Sequence, residues 1–306
     1  MSIGRSHLLA GVVFGAAALA VPPSALAAPA APAAPAGRPS STPAKAARPL
    51  EILLTDDDGY SAPGIQAARQ ALLAAGHHVT VVAPAADQSG AGTGMTAKFG
   101  AQIKARQESP GVWSVGGTPA DSVYFGLQVV FAGRKPDLVV SGSNFGQNTG
   151  ALATHSGTVG AALTGLENGV PAIAVSTEID LKAGQDATLK AFPATAKYLA
   201  DLIARLQRAG HGGRVLPSGV ALNVNYPIVD GTPKGTKATR LGKTSFVLPK
   251  YQPAGPDTYV ITPDFPTTPE PVRNADTTAL AQDYVTVTPM DGDWTLSPAS
   301  VPGLPR

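Results

Sequence analysis

Along the chain, short apolar runs alternate with longer segments in which apolar residues recur at helical spacing. Glu51 to Thr55 (EILLT) is such a run and predicts a strand. Ile65, Ala68, Leu72 and Leu73 follow at helical spacing after Pro63 and stop at Gly76, which predicts a helix. Val79 to Ala83 is β-branched, ends at Pro84 and predicts the next strand, so the first unit is strand, helix, strand with a parallel crossover. The order repeats, with helices expected over 120–131, 156–168 and 185–208 and strands over 137–141, 172–176 and 220–225. Such alternation implies an α/β protein with a mostly parallel sheet covered by helices on both faces. Beyond Pro227 the pattern changes. Residues 236–262 carry strand-like pieces at 244–248 and 258–261 separated by Pro and Gly, which predicts a β-hairpin arm that pairs with a second subunit or folds on its own body. A short helix over 276–281 and a strand over 284–288 close the pattern, and no fixed-period repeat is visible.

The ends of the chain set its expected compartment. Arg5 precedes an apolar run from Leu8 to Val21, and Ala25, Leu26 and Ala27 supply the small-x-small signal of a secretory leader cleaved near Ala27. A secreted or periplasmic protein is therefore expected. The run is shorter than the roughly 20 residues of a membrane span, so no stable membrane anchor is expected. Residues 28–48 are mostly Ala, Pro, Ser and Gly, the composition of a linker, which leaves 49–306 as one α/β domain. The formal net charge is +2, and the 23 Lys and Arg residues are scattered rather than clustered, which argues against a nucleic-acid polymer as partner. The absence of cysteine excludes a disulfide framework, a lipoprotein anchor and any thiolate metal site.

In open α/β sheets, ligands lie beyond the carboxyl ends of the strands, so the polar residues just after the predicted strands carry the candidate chemistry. Asp56, Asp57, Asp58 and Gly59 follow the first strand, and three carboxylates within one turn repel one another unless a cation neutralises them. After the second strand, Asp87 to Gly94 offers the Ser89 hydroxyl and unhindered backbone amides. Residues 92–97 fit G-x-G-x-x-A, but that fingerprint belongs after the first strand and should open a helix. After the strand at 137–141, glycines at 142, 146 and 150 let the backbone approach a ligand, and Asn144 and Asn148 supply amide groups. His155, Ser156, Gly157 and Thr158 then enter a helix whose N-terminus favours phosphate through free amides and the helix dipole, while Ser156 or Thr158 also suits ordinary capping. Oxygen donors without cysteine point to a hard divalent cation, Mg2+, Mn2+ or Ca2+, rather than zinc. His155 adjoins the phosphate site and is a candidate proton donor to a leaving oxygen; His7, His77, His78 and His211 are expected to be structural. No G-x-S-x-G elbow supports a serine triad.

Taken together, ILLTDDDG at 52–59, APGI at 62–65, VAP at 82–84 with Ser89 and Gly90, GTPAD at 117–121, VSGSNFGQN at 140–148 and SGTV at 156–159 resemble the survival protein SurE family. The likeness continues through LNVNYP at 222–227 and YVTVTP at 284–289. The resemblance implies a Rossmann-like phosphatase that releases phosphate from nucleoside 5′- or 3′-monophosphates, and sometimes from short polyphosphate. It also implies one divalent cation held by Asp57, Asp58, Ser89 and Asn144, and a homodimer or homotetramer joined through an extended C-terminal hairpin. Asp57, Asp58, Asn144 and His155 are then the expected catalytic residues, with Asn148, Ser156, Gly157 and Thr158 binding phosphate. Two positions depart from the family pattern: Asp56 stands where Asn is usual, adding a negative charge beside the metal, and His155 stands where Tyr is common. The export signal departs as well, because most relatives are cytoplasmic.

Two other readings fit parts of the pattern. The acidic loop also satisfies the D-x-D-G start of a haloacid-dehalogenase-type phosphatase, with Asp56 as nucleophile and Asp58 as acid. An exported module that binds a phosphorylated small molecule without cleaving it is the non-enzymatic reading, with Asp56 disabling turnover.

Overall fold

The computed structural model describes residues 48–180, 184–210, 213–295 and 300. The leader, the linker up to residue 47 and His211 lie outside them. The described residues belong to one compact unit.

Chain order begins with β1 (Glu51–Thr55), α1 (Pro63–Ala74) and β2 (His78–Pro84), then an edge hairpin, β3 (Ala105–Ser109) and β4 (Val112–Val115). It continues through α2 (Pro119–Phe125), β5 (Leu138–Phe145), α3 (Gly157–Glu167), β6 (Ala172–Thr177), α4 (Gln185–Ala209) and β7 (Ala221–Tyr226). The last elements are β8 (Thr236–Ala238), β9 (Leu248–Gly255), β10 (Thr258–Asp264), α5 (Asp276–Leu280) and β11 (Val285–Met290). A nine-stranded sheet has the order β3-β4-β2-β1-β5-β6-β7-β11-β8. From β4 to β7 all neighbours are parallel, whereas β3 and β11 run antiparallel to β4 and β7.

Strand alternation builds two cores. Ile52 and Leu54 pack with Ile65 and Leu72 of α1 and Leu199 and Ile203 of α4, while Leu53 and Val139 face the opposite core with Val159 and Ala162 of α3. The chain leaves β1 toward β2 on one side and returns to β5 on the other, so a crevice opens where the connections diverge. Close approach of helix and sheet depends on small residues: a Cβ at Gly165 of α3 would sit 2.8 Å from the Val139 side chain.

The predicted parallel α/β sheet with helices on both faces is present, and three details differ from the sequence pattern. β3 and β4 form an edge hairpin between residues 105 and 115 that the pattern does not show, because β3 is polar and largely exposed and β4 has four residues. The arm is shorter than expected. Residues 236–238 pair with β11 in the main sheet, and residues 244–247 form no strand. The hairpin consists of β9 and β10, and β9 contains Pro249 and Pro253, which read in the sequence as breaks. Both prolines are tolerated because the two strands pair only with each other, leaving outward N–H positions unused. Finally, the helix expected over 120–131 is regular to Phe125 and continues as a π-turn over Gly126–Val130.

Gly64 opens α1 against the carbonyl of Ser143 on β5, and a Cβ there would overlap that oxygen and crowd Phe192. Gly64→Ala is expected to destabilise the fold by about 1–3 kcal/mol or more, read by urea denaturation.

Candidate active site

β1 and β5 end side by side, and their terminal loops carry most of the predicted site. The Asp56 side chain is fully buried. Its Oδ1 accepts the Asp57 amide at 3.0 Å, and its Oδ2 has no partner. Burial, reinforced by the Asp58 and Asp57 charges, pushes its carboxyl well above the usual range. These causes favour the neutral protonated acid, which has the shape and charge of an asparagine amide. The negative charge expected at this position is therefore disfavoured by its surroundings. The dehalogenase-type reading gains no support here, because Asp56 is enclosed and does not line the cleft.

Asp57 lies against α3, where a Cβ on Gly157 would stand 2.8 Å from the Asp57 Cβ, so only glycine permits the approach. Asp57 Oδ1 accepts the Thr158 hydroxyl at 2.5 Å; burial pushes its carboxyl upward, and this bond, with those from its own amide and the Asp56 side chain, offsets part of that push. Asp58 Oδ2 accepts the Phe145 amide at 2.8 Å, while burial pushes its carboxyl up to about 6. Asn144 Nδ2 donates to the Gly146 carbonyl at 2.7 Å, which leaves Oδ1 available as a neutral donor to a cation. The β5–β6 register shift between Ser141 and Asn144 re-aims this residue. Ser89 donates its hydroxyl proton to Asp87 Oδ1 at 2.7 Å and keeps its lone pairs. Its loop is pinned by Gln88 N donating to Asp57 O (2.9 Å) and Gly92 N donating to His155 O (3.1 Å).

A cleft of about 320 Å³ brings Asp57, Ser89, Asn144, Asn148, His155 and Ser156 to one surface. Phe246, Val247 and Pro263, from the base of the β9–β10 hairpin, also line it. Asp58, Gly157 and Thr158 stand directly behind this surface through their contacts with Phe145 and Asp57. Among the described residues, no three His, Asp or Glu side chains form a metal centre by themselves. The donor set is mixed: two carboxylates whose charged forms are disfavoured without a cation, a hydroxyl oxygen and an amide oxygen. That chemistry fits one hard divalent ion.

Several predicted phosphate contacts are redistributed. Ser156 is the N-cap of α3, its Oγ accepting Val159 N at 3.1 Å. The Thr158 hydroxyl is committed to Asp57, and neither Gly157 nor Thr158 lines the cleft itself. Asn148 Nδ2 donates to both Thr158 Oγ1 (3.2 Å) and Ser176 Oγ (2.9 Å), which leaves no amide proton for phosphate. His155 is exposed on the cleft rim. His77 is structural, its Nδ1 accepting Leu50 N at 3.3 Å, and His78 pairs with Glu51 at 2.6 Å.

Two contributors were not evident from the sequence. Asn223 and Asn225 of β7 are completely buried and bond the Asn148 backbone; their signal was two amides at every second position of an otherwise apolar strand. Asp276 is the second: it accepts Gly150 N (3.1 Å) and Gly242 N (2.8 Å), tying the loop before His155 to the C-terminal segment.

The family model described as survival protein SurE matches residues 52–247. The chain belongs to the SurE family. Among its SurE relatives, a 5′-nucleotidase SurE from Microcystis aeruginosa is 36% identical over 264 residues, spanning 79% of this chain and 91% of its own length. The 5′-nucleotidase SurE 1 of Thermus thermophilus is 40% identical over 256 residues, spanning 80% and 93%. The crystal structure of the SurE protein from Aquifex aeolicus has the same fold, with a TM-score of 0.65 and 36% identity over 80% of this chain and 94% of that one.

At the end of β6, Glu178 accepts Ile228 N at 2.8 Å, and burial, with Asp283 and Asp180 nearby, pushes its carboxyl up to about 7. A carboxyl raised in the folded state stabilises the fold fully below its unfolded value and loses that contribution as pH rises through the folded one. Stability is therefore expected to fall between about pH 4.5 and 7. Glu178→Gln should flatten that fall and melt higher than wild type above pH 7, as read by thermal denaturation across pH.

Proposed function

We propose that this chain is a divalent-cation-dependent phosphomonoesterase that converts nucleoside monophosphates to nucleoside and phosphate. The observation that carries this reading is one cleft lined by two chemically distinct sets of side chains. One set is Asp57, Ser89 and Asn144, with Asp58 behind; the other is Phe246, Val247 and Pro263. A phosphate fits the first and a nucleobase the second, and the relatives named 5′-nucleotidases agree.

Asp57, Asp58, Ser89 and Asn144 would hold the cation, which when bound neutralises charge on a phosphoryl oxygen. The amides of Gly157 and Thr158, at the N-terminus of α3, stabilise the anionic phosphoryl group through hydrogen bonds and the helix dipole. His155 on the rim holds the proton that the leaving oxygen requires. Phe246 orients the base.

The test is phosphate release from nucleoside monophosphates and p-nitrophenyl phosphate, with and without Mg2+ or Mn2+. Wild type is expected to be metal-dependent, and Asp57→Asn to lose about 100-fold or more in rate. Wild type that releases no phosphate with either metal would leave only the binding-module reading. Phe246→Ala should raise KM for nucleoside monophosphates about five- to tenfold and leave KM for glycerol phosphate unchanged.

The β9–β10 hairpin supports assembly into a homodimer or homotetramer, because Tyr251, Tyr259 and Ile261 are 65%, 63% and 62% exposed on it. Replacing Tyr259 and Ile261 by serine is expected to reduce the mass measured by light scattering to that of a smaller species; an unchanged mass would dismiss the arm as the joint. Export, supported by the apolar run and the Ala25–Ala27 signal, places the enzyme where it scavenges phosphate from extracellular nucleotides. Fractionation of producing cells should recover it outside the cytoplasm. Among the described residues no helix is long and apolar enough to cross a membrane.

A further inference from the structure

The completely buried amides of β7 have no place in the site as the family motifs define it. Leu222 and Val224 face the core beneath α1 and α4, so Asn223 and Asn225 point to the opposite face, toward α3. Their partner is the backbone of Asn148. Asn148 N donates to Asn225 Oδ1 at 2.7 Å, and Asn148 O accepts from Asn223 Nδ2 at 2.7 Å. Both polar groups of a loop peptide are thus satisfied by side chains from a strand 75 and 77 residues away.

With its backbone clamped, Asn148 directs its side chain without ambiguity. Its two amide protons go to Thr158 Oγ1 and Ser176 Oγ. Because one Thr158 lone pair receives that proton, the single hydroxyl hydrogen of Thr158 is left to point at Asp57 Oδ1. From the Asn148 side chain onward the donors run one way, through the Thr158 hydroxyl to the carboxylate that lines the cleft, while Asn225 fixes the start of that path by accepting the Asn148 amide. Its cost argues against a purely architectural purpose: Asn223 Oδ1 is buried with no partner, an expense that a leucine or valine would not incur.

We propose that Asn225 and Asn223 are positioning residues for the cation site, acting through Asn148 and Thr158 to hold the Asp57 carboxylate with one oxygen occupied and the other directed into the cleft. This rests on the reading of Asp57 as a cation ligand. Outer groups of this kind typically alter metal affinity by about 10- to 100-fold.

Calorimetric titration of Mn2+ into metal-free protein tests it, with circular dichroism and thermal melting confirming the fold of each variant. Asn225→Leu and Thr158→Val are each expected to weaken Mn2+ binding about tenfold. The double variant should bind no worse than the weaker single one, because both act on one path. Asn225→Asp, which keeps the acceptor for Asn148 N, should bind within about twofold of wild type. A folded Asn225→Leu with wild-type affinity, or losses that add in the double variant, overturns the proposal. Should Asn225→Leu not fold, Thr158→Val and Asn225→Asp decide it: wild-type affinity in the first, or a tenfold loss in the second, overturns it. Wild type that takes up no Mn2+ overturns the cation-dependent function and the positioning inference with it, whereas uptake by wild type with unaltered variants removes the positioning inference alone.

Discussion

Three consecutive carboxylates at the carboxyl end of a buried strand set the terms for the rest of the structure. In water their repulsion is modest, but at the crevice between β1 and β5 the surroundings are poorly polarisable and each charge is costly. The fold answers each one differently. Asp56 is enclosed and favours its neutral form, Asp57 takes the Thr158 hydroxyl, and Asp58 takes the Phe145 amide. What is left is a pair of half-satisfied carboxylates beside two neutral oxygens, a donor set whose chemistry suits a small hard cation.

Bringing those groups together needs backbones closer than side chains allow. Gly157 admits Asp57 to the first turn of α3, and Gly160 admits the Ser89 loop, where a Cβ would overlap the Gly92 carbonyl. The glycines of α3 thus position chemistry as much as they pack a helix against a sheet. Polar residues on the same face of the sheet complete the arrangement. Ser176, Asn223 and Asn225 stand where an ordinary α/β core would place aliphatic residues, and they hold Asn148 instead.

The two departures from the family pattern have different weights. Asp56 in place of asparagine is enclosed by the fold, and burial pushes its carboxyl toward the neutral form, which matches asparagine in shape and charge. His155 in place of tyrosine faces solvent at the cleft rim. The hairpin also has two roles, since its tip is exposed while its base supplies the apolar wall of the cleft. Assembly through the tip would therefore bear on the shape of the site.

Much of this protein was legible along the chain, because apolar periodicity is local and the acidic loop directly follows the first strand. The order of strands and helices, the parallel sheet and the crevice that holds Asp57, Asp58 and Asn144 follow from it. The β3–β4 hairpin and β8 were not legible, being short, polar or paired only through distant partners. Nor was the division of labour within the site. Asp56, Asp57 and Asp58 are equivalent as letters, and only packing makes one enclosed, one a cleft residue and one a backbone acceptor. The Thr158 hydroxyl read as a phosphate ligand until α3, 101 residues from Asp57 in sequence, brought it against that carboxylate. Sequence by itself determined which chemical groups are present and at which strand end they gather. The tertiary structure decided which of them meet, because hydrogen bonds and burial depend on distances between residues that the chain keeps far apart.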